Sequence, residues 1–518
     1  MAVKTLIKPS QYHDSVSLML AAREVVKIAG VQDAAVVMAT EANKGILREA
    51  GLLTPEAEAA SPNDLVIAVS AADGASEQLL DQALAEAEGL LHKKEAASQG
   101  SEYRPKTLRA AVRSNPAANV AVISVAGRYA TGEAWEALHQ GLHVLLFSDN
   151  VSLDDEIALK RYARENGLLL MGPGAGTAIL NGAALGFANA VPSGPVGIVS
   201  AAGTGLQEVS TLLAKSGVGL TQGIGTGGRD LKEEVGGLMM LAGLEALQQD
   251  PATQVIVLVS KPPAPKVAQA VLDQVGRSEK PTVICLLGGK IVPLPARKHV
   301  IARTLEEAAR LAAGAALPEQ AAGATRQDDC EPVAAELRSR LAPGQCFLRG
   351  LFSGGTLCYE AQVVWQELLS DPVWSNAPLA PANLLPDSTR SQGHSAIDLG
   401  EEEFTVGRPH PMIDNDLRIR RILQEAQDPQ VAVILLDVVL GHGAHPDPAG
   451  ELGAAVRKAK QLAGQAGREL VVIASVTGTE EDPQVLSRQT LALEQAGVLV
   501  CTSNAAAARM VAEIVDRI

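Results

Sequence analysis

Short apolar runs alternate with amphipathic stretches along most of the chain. The runs have the length of β-strands and are apolar at nearly every position, as in residues 64–70 (DLVIAVS) and 119–125 (NVAVISV). Strands with this continuous pattern are buried on both faces, which is typical of parallel sheets covered by helices. The pattern therefore predicts an α/β fold, doubly wound, with mostly parallel sheets. Further runs of this kind are residues 142–148, 168–171, 195–200, 254–260 and 281–287.

Two segments of the chain repeat each other. Residues 197–208 (GIVSAAGTGLQE) align with residues 350–360 (GLFSGGTLCYE), which are one residue shorter and share Gly-Thr-x-x-x-Glu. In both segments an Asp-Pro pair then precedes a buried strand, and a later strand runs into a glycine turn. Duplicated units tend to pack about a pseudo-twofold axis, so we expect equivalent loops to meet.

The alternation of strands and helices also predicts the domain boundaries. It stops near Gly314, and the stretch that follows is rich in Pro, Gly and charge, which predicts a linker with one helix. We therefore predict a first domain at residues 1–190, a second at 191–318, the linker at 319–345 and a third domain at 346–518.

A glycine-rich loop follows the first strand of each repeat and precedes a helix. Small residues at such a position leave backbone N–H groups bare at a helix N-terminus, where the helix dipole favours an anion such as phosphate. The alternative is a tight strand-to-helix turn with a Ser or Thr cap. Neither loop has a Walker lysine or a G-x-G-x-x-G pattern. The candidate phosphate-binding residues are Ser200, Gly203, Thr204, Gly205, Ser353, Gly354, Gly355 and Thr356.

Two further loops contain candidate substrate-binding residues. Gly227 and Gly228 permit close approach of the backbone, and Arg229 beside them has the forked donors that grip a carboxylate or phosphate. The alternative for this cluster is a solvated surface loop. Asp437 ends a predicted strand, and ligands in open α/β sheets lie beyond the carboxyl ends of strands. We predict these residues as substrate-binding.

Histidines near the third domain's loops are candidates for proton transfer. A proline-stiffened loop carries Arg408, a candidate for binding the substrate carboxylate, and His410, while His442 follows the strand that ends at Asp437. His442 has two neighbours with metal-ligand side chains, His445 and Asp447. Histidines three apart on a Gly/Pro loop are more often surface or capping residues, so we predict no metal site there. We predict His410 and His442 as the catalytic residues that transfer protons.

Charge and cysteine usage restrict the partners. The 44 basic and 59 acidic residues give a net charge of −15, which disfavours nucleic acid and anionic membranes. The five cysteines are widely spaced with no C-x-x-C pair, so neither a disulfide framework nor a zinc knuckle is predicted. The N-terminal apolar run is too short for a signal peptide, and we expect a cytoplasmic protein.

Seven specific motifs occur along the chain: SVAGRYA (124–130), FSDNVSLDDEIALK (147–160), LLLMGPGAGT (168–177), GTGGRDLKEEVGG (225–237), VSKPP (259–263), FTVGRPHPMID (404–414) and SVTGTEEDPQ (475–484). By these motifs the chain resembles the FdrA family, which is related to the alpha subunit of succinyl-CoA synthetase. The resemblance covers essentially the whole chain and implies an N-terminal Rossmann-like domain of the CoA-binding type at 1–190, followed by two flavodoxin-like ligase-CoA domains.

The chain departs from its synthetase relatives at two functional positions. The resemblance implies a phosphorylated histidine after the third ligase-domain strand, but residues 287–297 (LGGKIVPLPAR) contain no histidine. The first CoA-binding glycine loop is also missing, because Leu6-Ile7 is followed by KPSQYHD. Whether the protein uses CoA as a cofactor is therefore left open, and phosphate or carbamoyl phosphate is expected as a substrate.

The resemblance also implies an activity. FdrA-type proteins are associated with oxamate carbamoyltransferase, a multi-subunit enzyme of purine and allantoin catabolism that converts oxalurate and phosphate to oxamate and carbamoyl phosphate. We predict a subunit of such an enzyme, with other subunits and a small anionic substrate as partners and a homo-oligomer left open. The alternatives are a subunit of an acyl-CoA synthetase and a non-catalytic scaffold or regulator.

Overall fold

The chain folds into two compact units, Met1–Arg104 with Glu402–His410, and Pro105–Glu401 with Pro411–Ile518. A computed structural model describes residues 2–11, 13, 15–72, 76–97, 105–289, 299–318, 331–405 and 408–516. In these ranges no helix is long and apolar enough to span a membrane.

The first unit contains a three-stranded sheet in the order β1-β3-β2, and both neighbours of β3 run antiparallel to it. The run at residues 64–70 was therefore wrongly predicted to lie in a parallel sheet. Its pattern reports burial, and β3 is buried because helices cover both faces: Ile67 packs in one apolar cluster and Val66 in another. The elements of this unit are β1 (Ala2–Lys8), α1 (Ser15–Val26), β2 (Val31–Met38), α2 (Glu41–Glu49), α3 (Pro55–Ala59), β3 (Leu65–Ala71) and α4 (Glu77–Ala97).

A second, parallel sheet begins the other unit, with the order β4-β5-β6. The Rossmann-like domain predicted for residues 1–190 is thus divided, because its parallel strands start only at Val120 and the antiparallel sheet precedes them. The elements around the parallel sheet are α5 (Leu108–Ser114), β4 (Val120–Ile123), α6 (Gly127–His139), β5 (His143–Leu146), α7 (Leu153–Glu165) and β6 (Leu170–Met171).

The first repeat forms a seven-stranded sheet in the order β13-β12-β11-β9-β10-β7-β8. All neighbours are parallel except β10-β7 and β7-β8. Its strands are β7 (Thr177–Leu180), β8 (Ala183–Gly186), β9 (Ser193–Ser200), β10 (Leu220–Gly225), β11 (Val255–Ser260), β12 (Thr282–Leu286) and β13 (His299–Ile301). Its helices are α8 (Gly203–Lys215), α9 (Leu238–Gln249), α10 (Pro265–Gly276) and α11 (Leu305–Ala316).

The second repeat forms a six-stranded parallel sheet in the order β15-β16-β14-β17-β18-β19. Helix α12 (Glu331–Arg338) precedes this sheet, and the helices of the repeat are α13 (Gly355–Leu368), α15 (Asp416–Glu425), α16 (Pro448–Gln465), α17 (Leu486–Gln495) and α18 (Asn504–Val515). The short helix α14 (Glu402–Thr405) belongs to the first unit. The strands are β14 (Phe347–Phe352), β15 (Val373–Ser375), β16 (His394–Asp398), β17 (Val431–Val439), β18 (Val471–Thr477) and β19 (Leu499–Cys501).

The topology confirms the predicted fold class and the repeat. The strand orders β10-β9-β11-β12-β13 and β16-β14-β17-β18-β19 both match the flavodoxin-like order 2-1-3-4-5. The first strand of each repeat leads into the corresponding helix, α8 or α13. Both repeats share one apolar core, in which Leu206 and Leu357 are fully buried.

The helix predicted in the linker is α12. It packs against α18, where Arg338 donates hydrogen bonds to the carbonyl oxygens of Glu513 and Ile514. The linker residues 319–330 lie outside the described residues, and the boundaries at 190, 318 and 345 remain predictions.

Candidate functional site

The two glycine loops contact each other across the repeats, as the duplication predicts. A Cβ on Gly354 would lie 2.8 Å from Thr204 Cγ2, and a Cβ on Gly205 would lie 3.0 Å from Thr356 Cγ2. The threonine of each loop therefore packs against a glycine of the other loop. Because this spacing leaves no room for a side chain, the glycines allow the two helix N-termini to approach each other.

The helix starts at this contact carry unpaired donors. The N-terminal N–H groups of an α-helix have no partner within the helix, and the dipole adds partial positive charge there. Among the described residues, no acceptor pairs with the N–H groups of Gly203, Thr204, Gly205, Gly355, Thr356 and Leu357. Gly203, Thr204 and Gly355 are half-buried, so the two helix starts are partly accessible to solvent. The arrangement fits the predicted phosphate site, whose occupancy stays a prediction.

Two predicted residues of the loops have internal partners. Ser200 Oγ accepts a hydrogen bond from the Ala202 N–H at 3.0 Å and donates one to the Ala202 carbonyl oxygen at 2.7 Å, so it closes its own loop. Ser353 donates from its N–H and its hydroxyl to the Asp437 carboxylate. Both serines are buried, and their hydrogen bonds hold the loops in place.

Asp437 has a positioning role that differs from the predicted substrate-binding role. Its carboxylate is fully buried and also accepts from the Gly354 N–H at 2.7 Å and from Arg418 at 3.1 Å. Burial lowers the pKa of Arg418, and the charge of Asp437 opposes that shift. With both oxygens engaged, Asp437 holds the second loop in place.

Two charged residues outside the predicted site border the start of α13. A Cβ on Gly355 would lie 2.5 Å from Asp398 Oδ2 and 3.7 Å from Lys261 Nζ. Asp398 is 2 % exposed, and burial raises its pKa to about 7 against the opposing charge of Lys261. Lys261 follows β11 directly, where the rule that ligands bind beyond strand ends points to it. Asp398 gave no such signal, because β16 was not among the predicted strands.

The glutamates of the shared Gly-Thr-x-x-x-Glu motif connect the repeats. Glu208 on α8 accepts from the Asn504 N–H at the start of α18, and Glu360 on α13 accepts from the Leu305 N–H at the start of α11. The Asn504 side chain also donates to Glu360 Oε2 at 2.8 Å. Burial raises the pKa of Glu360 to about 8. Each repeat thus places a carboxyl group at the N-terminus of the other repeat's last helix.

The predicted Arg229 cluster takes part in a buried ionic network. Arg229 Nε lies 2.8 Å from Glu156 Oε2, and its Nη2 donates to the Val151 carbonyl oxygen. Lys160 bridges Glu156 and Asp230 from a fully buried position. Arg229 is therefore engaged with α7, which differs from the predicted grip on a free substrate carboxylate.

The two glycines beside Arg229 differ in their surroundings. Gly227 has φ +87°, and a Cβ there would lie 2.7 Å from the Pro173 carbonyl oxygen. Gly228 has open space, with the nearest atom, the Ala201 carbonyl oxygen, 4.0 Å from a Cβ. Gly227 is thus required by close backbone packing, and neither glycine is shown to approach a ligand.

The two predicted histidines belong to different compact units, His410 to the first and His442 to the second. Arg408 and His410 fall in the first compact unit, whereas the glycine loops lie in the second. His442 is exposed, and its N–H donates to the Ala188 carbonyl oxygen. Their catalytic and binding roles remain predictions.

The neighbours of His442 serve the local fold. His445 Nδ1 accepts from the Asp447 N–H at 3.1 Å, and His445 Nε2 lies 3.3 Å from Glu451 Oε1. Within the described ranges, no group of three His, Cys, Asp or Glu side chains is arranged to hold a metal ion.

Family models match both ends of the chain. Residues 351–514 match the CoA-ligase model, and residues 1–106 match the model described as AllF, heavy metal-associated domain. The five cysteines all lie after residue 284, so residues 1–106 offer no thiolate to a soft metal. With no metal-ligand cluster in the described part of this unit, its residues do not fit a heavy-metal site.

Two solved structures match the chain at low identity and low TM-score. A dinucleotide-forming acetyl-coenzyme A synthetase from Ca. Korarchaeum cryptofilum, in complex with phosphate and ADP, is 17% identical with a TM-score of 0.28, covering 76% of this chain and 82% of that one. ATP citrate lyase from Methanothrix soehngenii is 21% identical with a TM-score of 0.33, covering 43% of this chain and 39% of that one.

Curated relatives give the family. The succinate–CoA ligase [ADP-forming] subunit alpha of Methanothermobacter thermautotrophicus is 26% identical over 230 residues, covering 43% of this chain and 75% of that one. The uncharacterized protein YahF of Escherichia coli K12 is 46% identical over 510 residues, covering 97% of each chain. With identity this high over almost the full length of both chains, and with a CoA-ligase domain in its C-terminal part, the protein belongs to the YahF family of CoA-ligase-like proteins.

Proposed function

We propose that this chain is a subunit of an acyl-transfer enzyme of the CoA-ligase type, in which a phosphate or acyl phosphate group binds between the N-termini of α8 and α13. The observation that carries the proposal is the contact between the two glycine loops, with unpaired N–H groups on both helices. Two helix N-termini supply oriented donors and partial positive charge to one anion. The chain's net charge of −15 makes such local donors necessary for an anionic substrate.

The relatives support an acid–thiol ligase as the first candidate reaction. In that reaction the thiol of CoA attacks the carbonyl carbon of an acyl phosphate, the C–S bond forms, the C–O bond to phosphate breaks, and the thiol proton passes to a base. Phosphate then leaves as the anion that the loops bind, and the bare N–H groups stabilise its developing charge. Several matched relatives are named as alpha subunits of CoA ligases, so a partner subunit belongs to this proposal.

Carbamoyl transfer is the second candidate, favoured by the absence of histidine from residues 287–297. In the synthetase relatives that histidine would carry the phosphate. Without it, an acyl phosphate would form directly from the phosphate that is bound at the loops. An oxygen of hydrogen phosphate would attack the carbamoyl carbon of oxalurate, the C–N bond would break, and the oxamate nitrogen would take the proton that the phosphate loses. The match of the N-terminal unit to an AllF domain agrees with the FdrA-type resemblance behind this candidate.

An assay of the purified protein together with the products of its neighbouring genes would test both reactions. Formation of an acyl-CoA from acid, ATP and CoA supports the ligase, and formation of carbamoyl phosphate from oxalurate and phosphate supports the carbamoyltransferase. A thermal-shift series with phosphate, carbamoyl phosphate and CoA would accompany it, since a ligand at 100 times its Kd stabilises a protein by about 2.7 kcal/mol. No activity in either assay and no shift with any ligand would favour a scaffold and contradict the proposal.

A further inference from the structure

Lys261 is a cation whose hydrogen-bonding capacity is unused. It follows β11 directly, and its Nζ lies 5.5 Å from the centre of the Tyr359 ring. Among the described residues it takes part in no hydrogen bond and no ion pair, although the residue is only half-exposed. An ammonium group has three donors and no acceptor, so this position suits an anionic ligand.

Asp398 offers an acceptor at the same place. Its Oδ1 accepts a hydrogen bond from the Gly400 N–H at 2.9 Å, whereas no donor among the described residues pairs with its Oδ2. That oxygen is the one that would lie 2.5 Å from a Cβ on Gly355, so it is directed at the first residue of α13. A side chain buried to 98 % thus presents an unpaired oxygen to the helix N-terminus that the loops share.

A carboxylate in this position would repel a bound phosphate unless it held a proton. Burial raises the pKa of Asp398 to about 7, and the acidic Glu401 and Asp437 raise it further while Lys261 and the Gly400 N–H lower it. Cys358 and Tyr359 of α13 are the other titratable neighbours, and burial raises the pKa of both above the neutral range in which Asp398 titrates. Asp398 is therefore close to half-protonated at neutral pH.

We propose that Lys261 and Asp398 form the side-chain part of this anion site: Lys261 pairs with the tetrahedral anion, and Asp398 binds it as the protonated acid, donating a hydrogen bond. The proposal deepens the proposed function and rests on it. Its consequence is that the anion binds only the protonated form of Asp398, so binding takes up a proton from water wherever Asp398 is ionised beforehand. The substrate class is a phosphate or acyl phosphate dianion.

Calorimetric titration of the full chain with two probes tests this proposal. Inorganic phosphate at pH 6.5 shows whether the site binds its expected ligand. Inorganic sulfate, a tetrahedral dianion that carries no proton between pH 6 and 9, shows the pH dependence without titration of the probe. For the wild type, the sulfate Kd is expected to rise about tenfold per pH unit above the pKa of Asp398.

Two substitutions test the contributions of the two side chains separately. In Asp398→Asn the sulfate Kd should change less than about twofold between pH 6.5 and 8.5. In Lys261→Gln binding should weaken about tenfold or more at every pH, with the slope retained, because a charge-assisted hydrogen bond is lost. Lys266→Gln and Asp273→Asn make the same charge changes at exposed positions of α10 and should leave both properties unchanged. Far-ultraviolet circular dichroism and Tm confirm that each variant is folded.

The outcomes distinguish this inference from the proposed function. If neither phosphate nor sulfate binds the wild type, the anion site between the helices is refuted and the proposed function fails. If both bind, but Lys261→Gln binds as tightly as the wild type or the pH dependence persists in Asp398→Asn, the site stands and the assignment of these two side chains is overturned.

Discussion

At the scale of single residues, the candidate site depends on where side chains are absent as much as on where they are present. Gly355 begins α13 with a backbone conformation open to any residue, yet Asp398 occupies the space beside it. Gly205 and Gly354 likewise leave room for the threonines of the opposite loops. Glycine at these positions is required by close approach and leaves backbone N–H groups accessible to a ligand.

Replacing Gly355 by alanine should therefore impair anion binding without unfolding the chain. The new methyl group would lie 2.5 Å from Asp398 Oδ2, so the carboxylate must move away from the helix start. We expect phosphate affinity to fall about tenfold, which corresponds to about 1.4 kcal/mol, in a calorimetric titration. Gly464→Ala is the matched control, because a Cβ at this exposed position of α16 meets no atom within 4 Å. Equal affinities in the two variants would contradict the site.

At the scale of elements, helix N-termini serve two different purposes in this protein. Among the described residues, no acceptor pairs with the first N–H groups of α8 and α13, whereas the N-termini of α11 and α18 donate to the carboxyl groups of Glu360 and Glu208. The paired helices α8 and α11, and α13 and α18, pack closely in the shared core. The capping glutamates thus fix the last helix of each repeat against the opposite repeat.

Asn504→Ala should weaken this connection between repeats. The side chain donates to Glu360 Oε2 at 2.8 Å and to the Leu357 carbonyl oxygen at 3.0 Å, and alanine would leave both buried acceptors without that donor. We expect a loss of about 2–4 kcal/mol in the free energy of unfolding, measured by denaturant titration. Asn166→Ala removes one hydrogen bond at the exposed end of α7 and should cost under about 1 kcal/mol. A similar loss in both variants would show that Asn504 has no special role.

At the scale of the whole molecule, a buried acid in the interface between the repeats couples stability to pH. Glu360 is fully buried, and burial raises its pKa from 4.5 to about 8. Between these values the folded protein keeps a proton that the unfolded chain has released. The contribution of Glu360 to stability is therefore complete below pH 4.5 and is lost as the pH rises to about 8, above which it changes no further.

The pH dependence of Glu360→Gln tests this linkage. The difference in the free energy of unfolding between wild type and variant should shift in favour of the variant from pH 5 to pH 8, by at most about 1.4 kcal/mol per pH unit. Denaturant titrations at several pH values measure it. Glu336→Gln, at an exposed position of α12, should show no such trend. A constant difference between wild type and Glu360→Gln would exclude Glu360 as the responsible group.

Several features of the site were predictable because they depend on local sequence. Gly203-Thr204 and Gly355-Thr356 stand between a buried strand and a helix, and that order alone places bare N–H groups at a helix start. Asp437 was predicted to end its strand, but β17 continues to Val439, and the role of Asp437 was not predictable. Whether a carboxylate faces a ligand or closes a loop depends on its partners, and Arg418 and Gly354 become its neighbours only through folding.

The sequence by itself determined the fold class, the two repeats and the position of their glycine loops, because strand burial, helix periodicity and turn residues are properties of short segments. The tertiary structure alone decided the antiparallel direction of β3, since an apolar run reports burial on both faces and not the direction of its neighbours. It also placed Lys261 beside Asp398, two residues from different repeats. Their proximity follows from the packing of two sheets about a shared core, a long-range property that no local pattern contains.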